Sequence, residues 1–349
     1  LQEKEHNFWG DDLLTDVAVL FTSLGIILLG AAFFTNAIEW LGKKLNLTEG
    51  AVGSILAAVG TAMPETLIPL TAILLGTGDA AHEIGVGAIL GAPFMLGTLA
   101  MFLVGSSVFL FRKKRAESST RIEPDPAVIR RDLGFFIVVY TLAISAAFMV
   151  YWLKIGVALL LVAAYIIFAY KTLTSGGEFG EECQMDPLYL ARSCQGEPPT
   201  FIVVGQLVLA FGAIIVGANF FVHSVEDLSS LLGVPAFIMS LLIAPVATEM
   251  PEKFNSLIWL SQKKDTVALG NITGAMVFQS SVIPAVGITL TPWVLTPAAI
   301  ISAILALTAS ISVYLFIRYK NYLDGRILML TGGLFYSFFV VAVLKGIIR

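Results

Sequence analysis

Charge is scarce in this chain. Of 349 residues, 21 are Lys or Arg and 25 are Asp or Glu, 13% in all, against 57% hydrophobic residues and a mean hydropathy of +0.87. Soluble domains carry about 25% charged residues, so a surface bathed in water is excluded. Histidines number three and cysteines two, and no metal-ligand spacing joins them. Cys183 and Cys194 share one hydrophilic loop and read as unpaired thiols. A nucleophile–base pair and a His/Asp constellation are both missing, so no enzyme and no resident cofactor is expected. Strand-length alternation is absent as well, which argues against a β-barrel. The opening LQEKEHNFWGDD is polar and acidic, unlike a cleavable leader.

Apolar runs are what the chain has in abundance. Each is long enough to cross about 30 Å of hydrocarbon as a helix, the one element besides a closed barrel that satisfies its own backbone in lipid. Ten spans are expected near 13–41, 47–76, 83–110, 133–152, 155–173, 201–231, 234–261, 265–291, 293–317 and 326–347. The expected fold is an all-α polytopic membrane protein with ten transmembrane helices. Polar segments interrupt it at 111–131 and 174–200.

Basic residues sort by side. The loops after spans one, three, five, seven and nine hold sixteen Lys and Arg, and the other side holds Lys4, Lys154, Lys345 and Arg349. The positive-inside rule makes the first set cytoplasmic, with both termini outside and the chain expected in the plasma membrane. The remaining basic residue, Lys253, falls inside a span. The expected partners are the bilayer and inorganic cations, with no nucleic acid.

Sliding the sequence by 187 residues aligns Gly25–Glu65 with Gly212–Glu252 without a gap, and fifteen of forty-one pairs are identical. GTAMPE (60–65) meets ATEMPE (247–252), and GAILGA (87–92) answers GNITGA (270–275) at a slightly different offset. The expected organisation is therefore a first five-helix repeat at 13–173, a cytoplasmic linker at 174–200 and a second repeat at 201–347. Five spans are an odd number, so the second copy enters the membrane inverted, as in transporters whose sites lie at the repeat interface.

Glu65 and Glu252 are the chemical centre of the two copies. An ionised carboxylate at mid-membrane costs a few kcal/mol unless a cation, a proton or a basic neighbour compensates it. A proline one residue earlier removes a helical donor, so Pro64 would free the carbonyl of Gly60 and Pro251 that of Ala247. Thr61 and Thr248 each stand four residues before their glutamate, on the same helix face. Such oxygens suit Ca²⁺ or Na⁺ rather than soft metals. Gln279 is a neutral candidate ligand. Glu249 is either a third site carboxylate or the i, i+4 partner of Lys253. Asn271 is expected to bond freed backbone, His223 to be a hydrogen-bonded interior residue, and Glu39 and Glu226 to set gating contacts. The glycine patterns are expected to let the following helix approach the proline-bearing one.

These motifs resemble the alpha repeats of the Ca²⁺/cation antiporter superfamily, where Gly-Thr-Ser-x-Pro-Glu is followed by Gly-Asn-x-x-Gly-Ser. The resemblance covers both halves. It implies that Glu65 and Glu252, with Thr61 and Thr248, hold Ca²⁺, and that the first and sixth helices slide as a pair across the others. Ca²⁺ and its counter-ion would compete for the same carboxylates. Departures from the pattern are Ala62, Glu249, Ala92 and Ala275 at the motif serines, with Leu96 and Gln279 at the later Asn/Asp positions. The expected function is secondary active antiport, by alternating access, of a divalent cation, Ca²⁺ first, against Na⁺ or H⁺. Proton-coupled exchange of Mg²⁺ or Mn²⁺ and a non-transporting ion sensor are the alternatives.

Overall fold

Several helices begin or end where the local sequence supplies a cap. In the computed structural model, which describes residues 2–45, 62–113, 120–174, 186–191 and 197–348, with side chains except at 2–12, 173, 174 and 250–252, helix dominates. In chain order the helices are α1 (Gln2–Lys44), α2 (Met63–Leu75), α3 (Asp79–Leu110), α4 (Pro126–Ser145), α5 (Tyr151–Thr174), α6 (Thr200–Leu232), α7 (Ala236–Ser261), α8 (Asp265–Leu290), α9 (Pro297–Lys320) and α10 (Gly325–Leu344). Asp125 accepts from the Ala127 amide ahead of Pro126, and Thr296 accepts from Ala299 ahead of Pro297. Both are side-chain caps with proline at the first helical position. Gly233, at φ 64°, closes α6 in the left-handed conformation that favours glycine.

Among the described residues seven helices are long and apolar enough to cross a membrane: α1, α3, α5, α6, α8, α9 and α10. Their outer faces carry large exposed apolar side chains, such as Phe21 and Leu29 on α1, Leu159 and Ile166 on α5 and Leu334 and Phe338 on α10. A surface of this kind is stable against lipid and not against water. The fourth span departs from the expected 133–152. Its helix starts at Pro126 and ends at Ser145, because the Asp-Pro pair launches it early. Arg130, Arg131 and Asp132 consequently ride on its first two turns instead of in a loop.

The chain forms two compact units, one from Leu1–Gly85 with Thr172–Ala236, the other from Val86–Lys171 with Phe237–Arg349. The first contains α1, α2 and α6, so the first and sixth spans pack on each other. Their crossing is reciprocal: a Cβ on Gly30 would meet Ile214 and the Ala210 carbonyl, and one on Gly217 would meet Ile27 and the Ser23 carbonyl. Gly30 with Gly217 and Ile27 with Ile214 are equivalent pairs under the 187-residue shift. The linker is tied to this pair. Gln206 donates to the Phe33 carbonyl and to Asn36 Oδ1, the Tyr189 amide donates to Asn36 Oδ1, and the Leu190 amide donates to Gln206 Oε1. Asn36 and Gln206 are buried, so their loss leaves several donors and acceptors unmet at about 1–3 kcal/mol each. Asn36→Ala is expected to expose the 186–191 segment to limited proteolysis while α1 and α6 stay paired. Unchanged cleavage would refute that role.

In the second unit α4 lies along α8, and α9 and α10 pack beside them and α3. A five-residue π-helical insert, Leu96–Ala100, interrupts α3. Loop contacts sort this unit into two ends. At one, the Glu123 amide donates to Asp265, the Asp125 amide donates to Thr266, and a short antiparallel pair sets Arg121 opposite Asp324. At the other, Lys154 donates to the Pro292 carbonyl and Trp293 Nε1 to the Ala143 carbonyl. The loops after α3, α7 and α9 thus share an end, as do those after α4 and α8.

The glycine pattern Gly87–Ala92 makes its close approach to α7 of the other repeat. A Cβ on Gly87 would fall on the Phe237 carbonyl, and one on Gly91 on the Leu241 carbonyl and Pro245. Pro245 leaves the Leu241 carbonyl without its helical donor, and only a glycine opposite can reach that oxygen so closely. Within the expected hairpin it is Gly85 that meets Ile73 and Pro69 of α2. Gly270 and Gly274 meet no described atom within 4 Å of a built Cβ. Gly91→Val is therefore expected to cost about 3 kcal/mol through overpacking against backbone, with Gly270→Val costing far less. Equal melting temperatures for the two in detergent would refute the assignment.

Candidate functional site

Glu65 lies in the first turn of α2, after Pro64 at the helix start, and is 8% exposed. The described helix opens at Met63, so Pro64 occupies a tolerated first-turn position. A carboxylate there gains from the positive end of the helix dipole. Pro69, inside α2 and four residues on, removes the donor that the Glu65 carbonyl would otherwise have. That oxygen was legible in the sequence as a second proline and was missed. Gly60 and Thr61 lie outside the described residues.

In the second unit α7 continues as a helix through Pro245 and Pro251, so the expected interruption is a missing donor rather than a break. Ala247 is partly buried, and its carbonyl lacks the amide donor that Pro251 cannot supply. Thr248 is 4% exposed and its hydroxyl donates to the Ala244 carbonyl at 3.0 Å, leaving its oxygen able to accept. Glu249 is fully buried. Glu252 lies on α7, with its side chain outside the described set. Gln279, on α8 and 4% exposed, has an amide oxygen with no hydrogen-bond partner among the described residues. The structure thus places Ala247, Thr248, Glu249, Glu252 and Gln279 in the second unit and Glu65 in the first.

Asn271 donates to Ser256 Oγ at 3.0 Å, joining α8 to α7 through side chains instead of bonding freed backbone. Two residues further along the glycine pattern, Thr273 donates to Asp132 Oδ2 at 2.8 Å, while Arg131 holds Oδ1 at 2.9 Å and lies over the Phe168 ring. Asp132 thereby anchors the motif-bearing helix to α4. It escaped the sequence reading because it sits beside two arginines and resembles a loop edge. His223 is exposed and stands 4.0 Å from Glu226, so it is no interior histidine. Outside the spans, Lys44 and Lys43 hold the exposed Glu197 carboxyl below its ordinary value.

Among the described residues no three His, Cys, Asp or Glu side chains cluster. A groove of about 500 Å³ on α1 and α6 is lined by apolar side chains, such as Val19, Ile26 and Phe220, together with Thr15, Thr22 and Ser23, and has no acid in its lining.

The fold is that of a membrane protein with buried acids, Glu65 and Glu249, on proline-bearing helices. Residues 15–173 and 202–345 match the profile described as sodium/calcium exchanger protein, and the chain belongs to that family within the Ca²⁺/cation antiporter superfamily. It is 25% identical over 288 residues to the putative antiporter CaxA of Alkalimonas amylolytica, covering 81% of this chain and 84% of that one. Identity to the sodium/calcium exchanger MaX1 of Methanosarcina acetivorans is 23% over 284 residues, 74% and 79% of the two chains. Among solved structures, the H⁺/Ca²⁺ exchanger CAX superposes with a TM-score of 0.69 at 17% identity, over 94% of this chain and 82% of that one. The sodium-calcium exchanger NCX_Mj gives 0.52 at 18% identity, over 95% and 98%. Their likeness establishes the fold. The family is one of membrane exchangers rather than enzymes.

Proposed function

We propose that the chain is a secondary active antiporter that exchanges a divalent cation, Ca²⁺ first, for Na⁺ or H⁺ by alternating access. The observation that carries this reading is the duplicated Thr-x-Met-Pro-Glu sequence, with Glu65 buried at the start of an apolar helix. Glu65 and Glu252 supply the charge for the divalent ion. Thr61, Thr248, Gln279 and the carbonyls of Gly60 and Ala247 complete an oxygen set of the kind Ca²⁺ takes at about 2.3–2.6 Å. Glu249 stands beside that set without serving as its principal ligand.

Ten spans arranged as two inverted five-helix repeats accompany this function. The reciprocal Gly30 and Gly217 crossing supports a two-fold relation between α1 and α6, and the shared loop ends of the second unit support alternating orientation. The pair α1 and α6 is the moving element in this reading. Both termini face outward across the plasma membrane, and cysteines placed singly at 345 and 320 should react with impermeant thiol reagents from opposite sides.

Proton coupling is the version favoured by Ala62, Ala92, Ala275 and Leu96, which offer no side-chain oxygen for Na⁺. Uptake of ⁴⁵Ca²⁺ into proteoliposomes under imposed Na⁺ or H⁺ gradients tests the whole proposal. Uptake driven by either gradient supports antiport, and uptake driven by H⁺ alone selects the proton. Binding without flux would mean an ion sensor, and Mg²⁺ or Mn²⁺ flux without Ca²⁺ flux would reassign the substrate.

A further inference from the structure

Four acids are buried among the described residues: Glu65, Asp132, Glu249 and Asp265. Arg131 answers Asp132, and the Glu123 amide with the start of α8 answers Asp265. Glu249 is fully buried, and one turn later on the same face of α7 stands Lys253, 2% exposed. Ser256 follows on that stripe, held by Asn271. A buried ammonium and a buried carboxylate cost far less together than either does alone.

The first repeat has neither member of this pair. Ala62 and Thr66 occupy the equivalent positions, and there the Thr66 hydroxyl and amide both donate to the Ala62 carbonyl. A negative and a positive charge have thus been added together, four residues apart, to one copy only. Their sum is zero, so the pair changes the local charge count only if it is broken.

We propose that Lys253 is a resident cation that neutralises Glu249, so that transported ions answer only the charges of Glu65 and Glu252 and exchange is electroneutral, one divalent for two monovalent cations. This rests on the antiporter reading above, in which those two glutamates bind the ion. Lys253 is a positioning residue here: it acts through Glu249 and sets the coupling ratio without touching the transported ion. Two carboxylates are balanced alike by one M²⁺ or by two monovalent ions. A third unanswered carboxylate would recruit one more monovalent ion and make each cycle carry charge.

The full chain in proteoliposomes gives the test, with ⁴⁵Ca²⁺ accumulation followed to steady state at a fixed gradient of the coupling ion. A potassium diffusion potential of about 100 mV shifts that ratio about 50-fold for each net charge moved. Wild type is expected to shift less than twofold. Lys253→Met is expected to become potential-dependent, Lys253→Arg to behave as wild type, and Glu249→Gln with Lys253→Met to recover potential-independent exchange. A potential-dependent wild type overturns the proposal, as does a Lys253→Met variant that matches wild type or a double variant no better than Lys253→Met. Loss of Ca²⁺ flux in Glu65→Gln with a potential-driven wild type would sink the charge assignment alone. Full flux in Glu65→Gln would remove the antiporter site and this inference with it.

Discussion

Glu65→Gln and Glu252→Gln should each lower divalent-cation flux at least a hundredfold. The amide keeps the size and the oxygen of the side chain and deletes only its charge, so helix formation in α2 and α7 is left intact. Coulomb attraction between a divalent ion and a carboxylate at contact is several kcal/mol even at an effective dielectric near 20. Losing about 3 kcal/mol of it is a hundredfold in affinity. In the proposed site the two glutamates have equivalent roles, so the two substitutions should cost alike. Thr248→Val removes one neutral oxygen and should cost about tenfold or less. Flux within twofold of wild type in either glutamine variant, measured as ⁴⁵Ca²⁺ uptake at matched protein levels, refutes the assignment.

The largest effect on stability is expected at Asp132. Its carboxylate is buried between Thr273 of α8 and Arg131 of its own helix, and α4 packs along α8 in the second unit. Breaking a buried pair costs about 3–5 kcal/mol. Arg131 reaches solvent in part, at 21% exposure, so about 3 kcal/mol is expected for Asp132→Ala. Thr273→Val keeps the volume and removes one hydrogen bond to a charged group, for about 2 kcal/mol. Because the two residues share the bond, the double variant should cost less than the sum. Thermal unfolding in detergent is the measurement, and strict additivity would show that the bond does not couple the helices. Thr273 belongs to the GNITGA pattern, so divalent affinity should fall in both variants.

Much of the molecule was legible residue by residue. Apolar length located the seven membrane-length helices of the described residues, because crossing a bilayer is a local property of about 20 consecutive residues. Span four moved because Asp125 and Pro126 start a helix before the apolar run begins. The proline–glutamate pairs stood out for the same local reason: charge at mid-membrane is costly enough to be rare. Pro69 and Pro245 carried the same signal and passed unnoticed among apolar neighbours.

Hydropathy and the internal repeat, then, determined the apolar spans, the doubled acidic motif and the one lysine, Lys253, that falls inside a span. Tertiary structure alone decided that α1 and α6 cross at Gly30 and Gly217, that Gly91 meets α7 rather than its own hairpin partner, and that Asp132 holds Thr273. In lipid every apolar face is equally well solvated, so hydrophobicity does not choose partners among helices. The choice falls to small residues that admit a neighbouring backbone and to a few polar groups that must find one another, and those pairings join residues far apart in the chain.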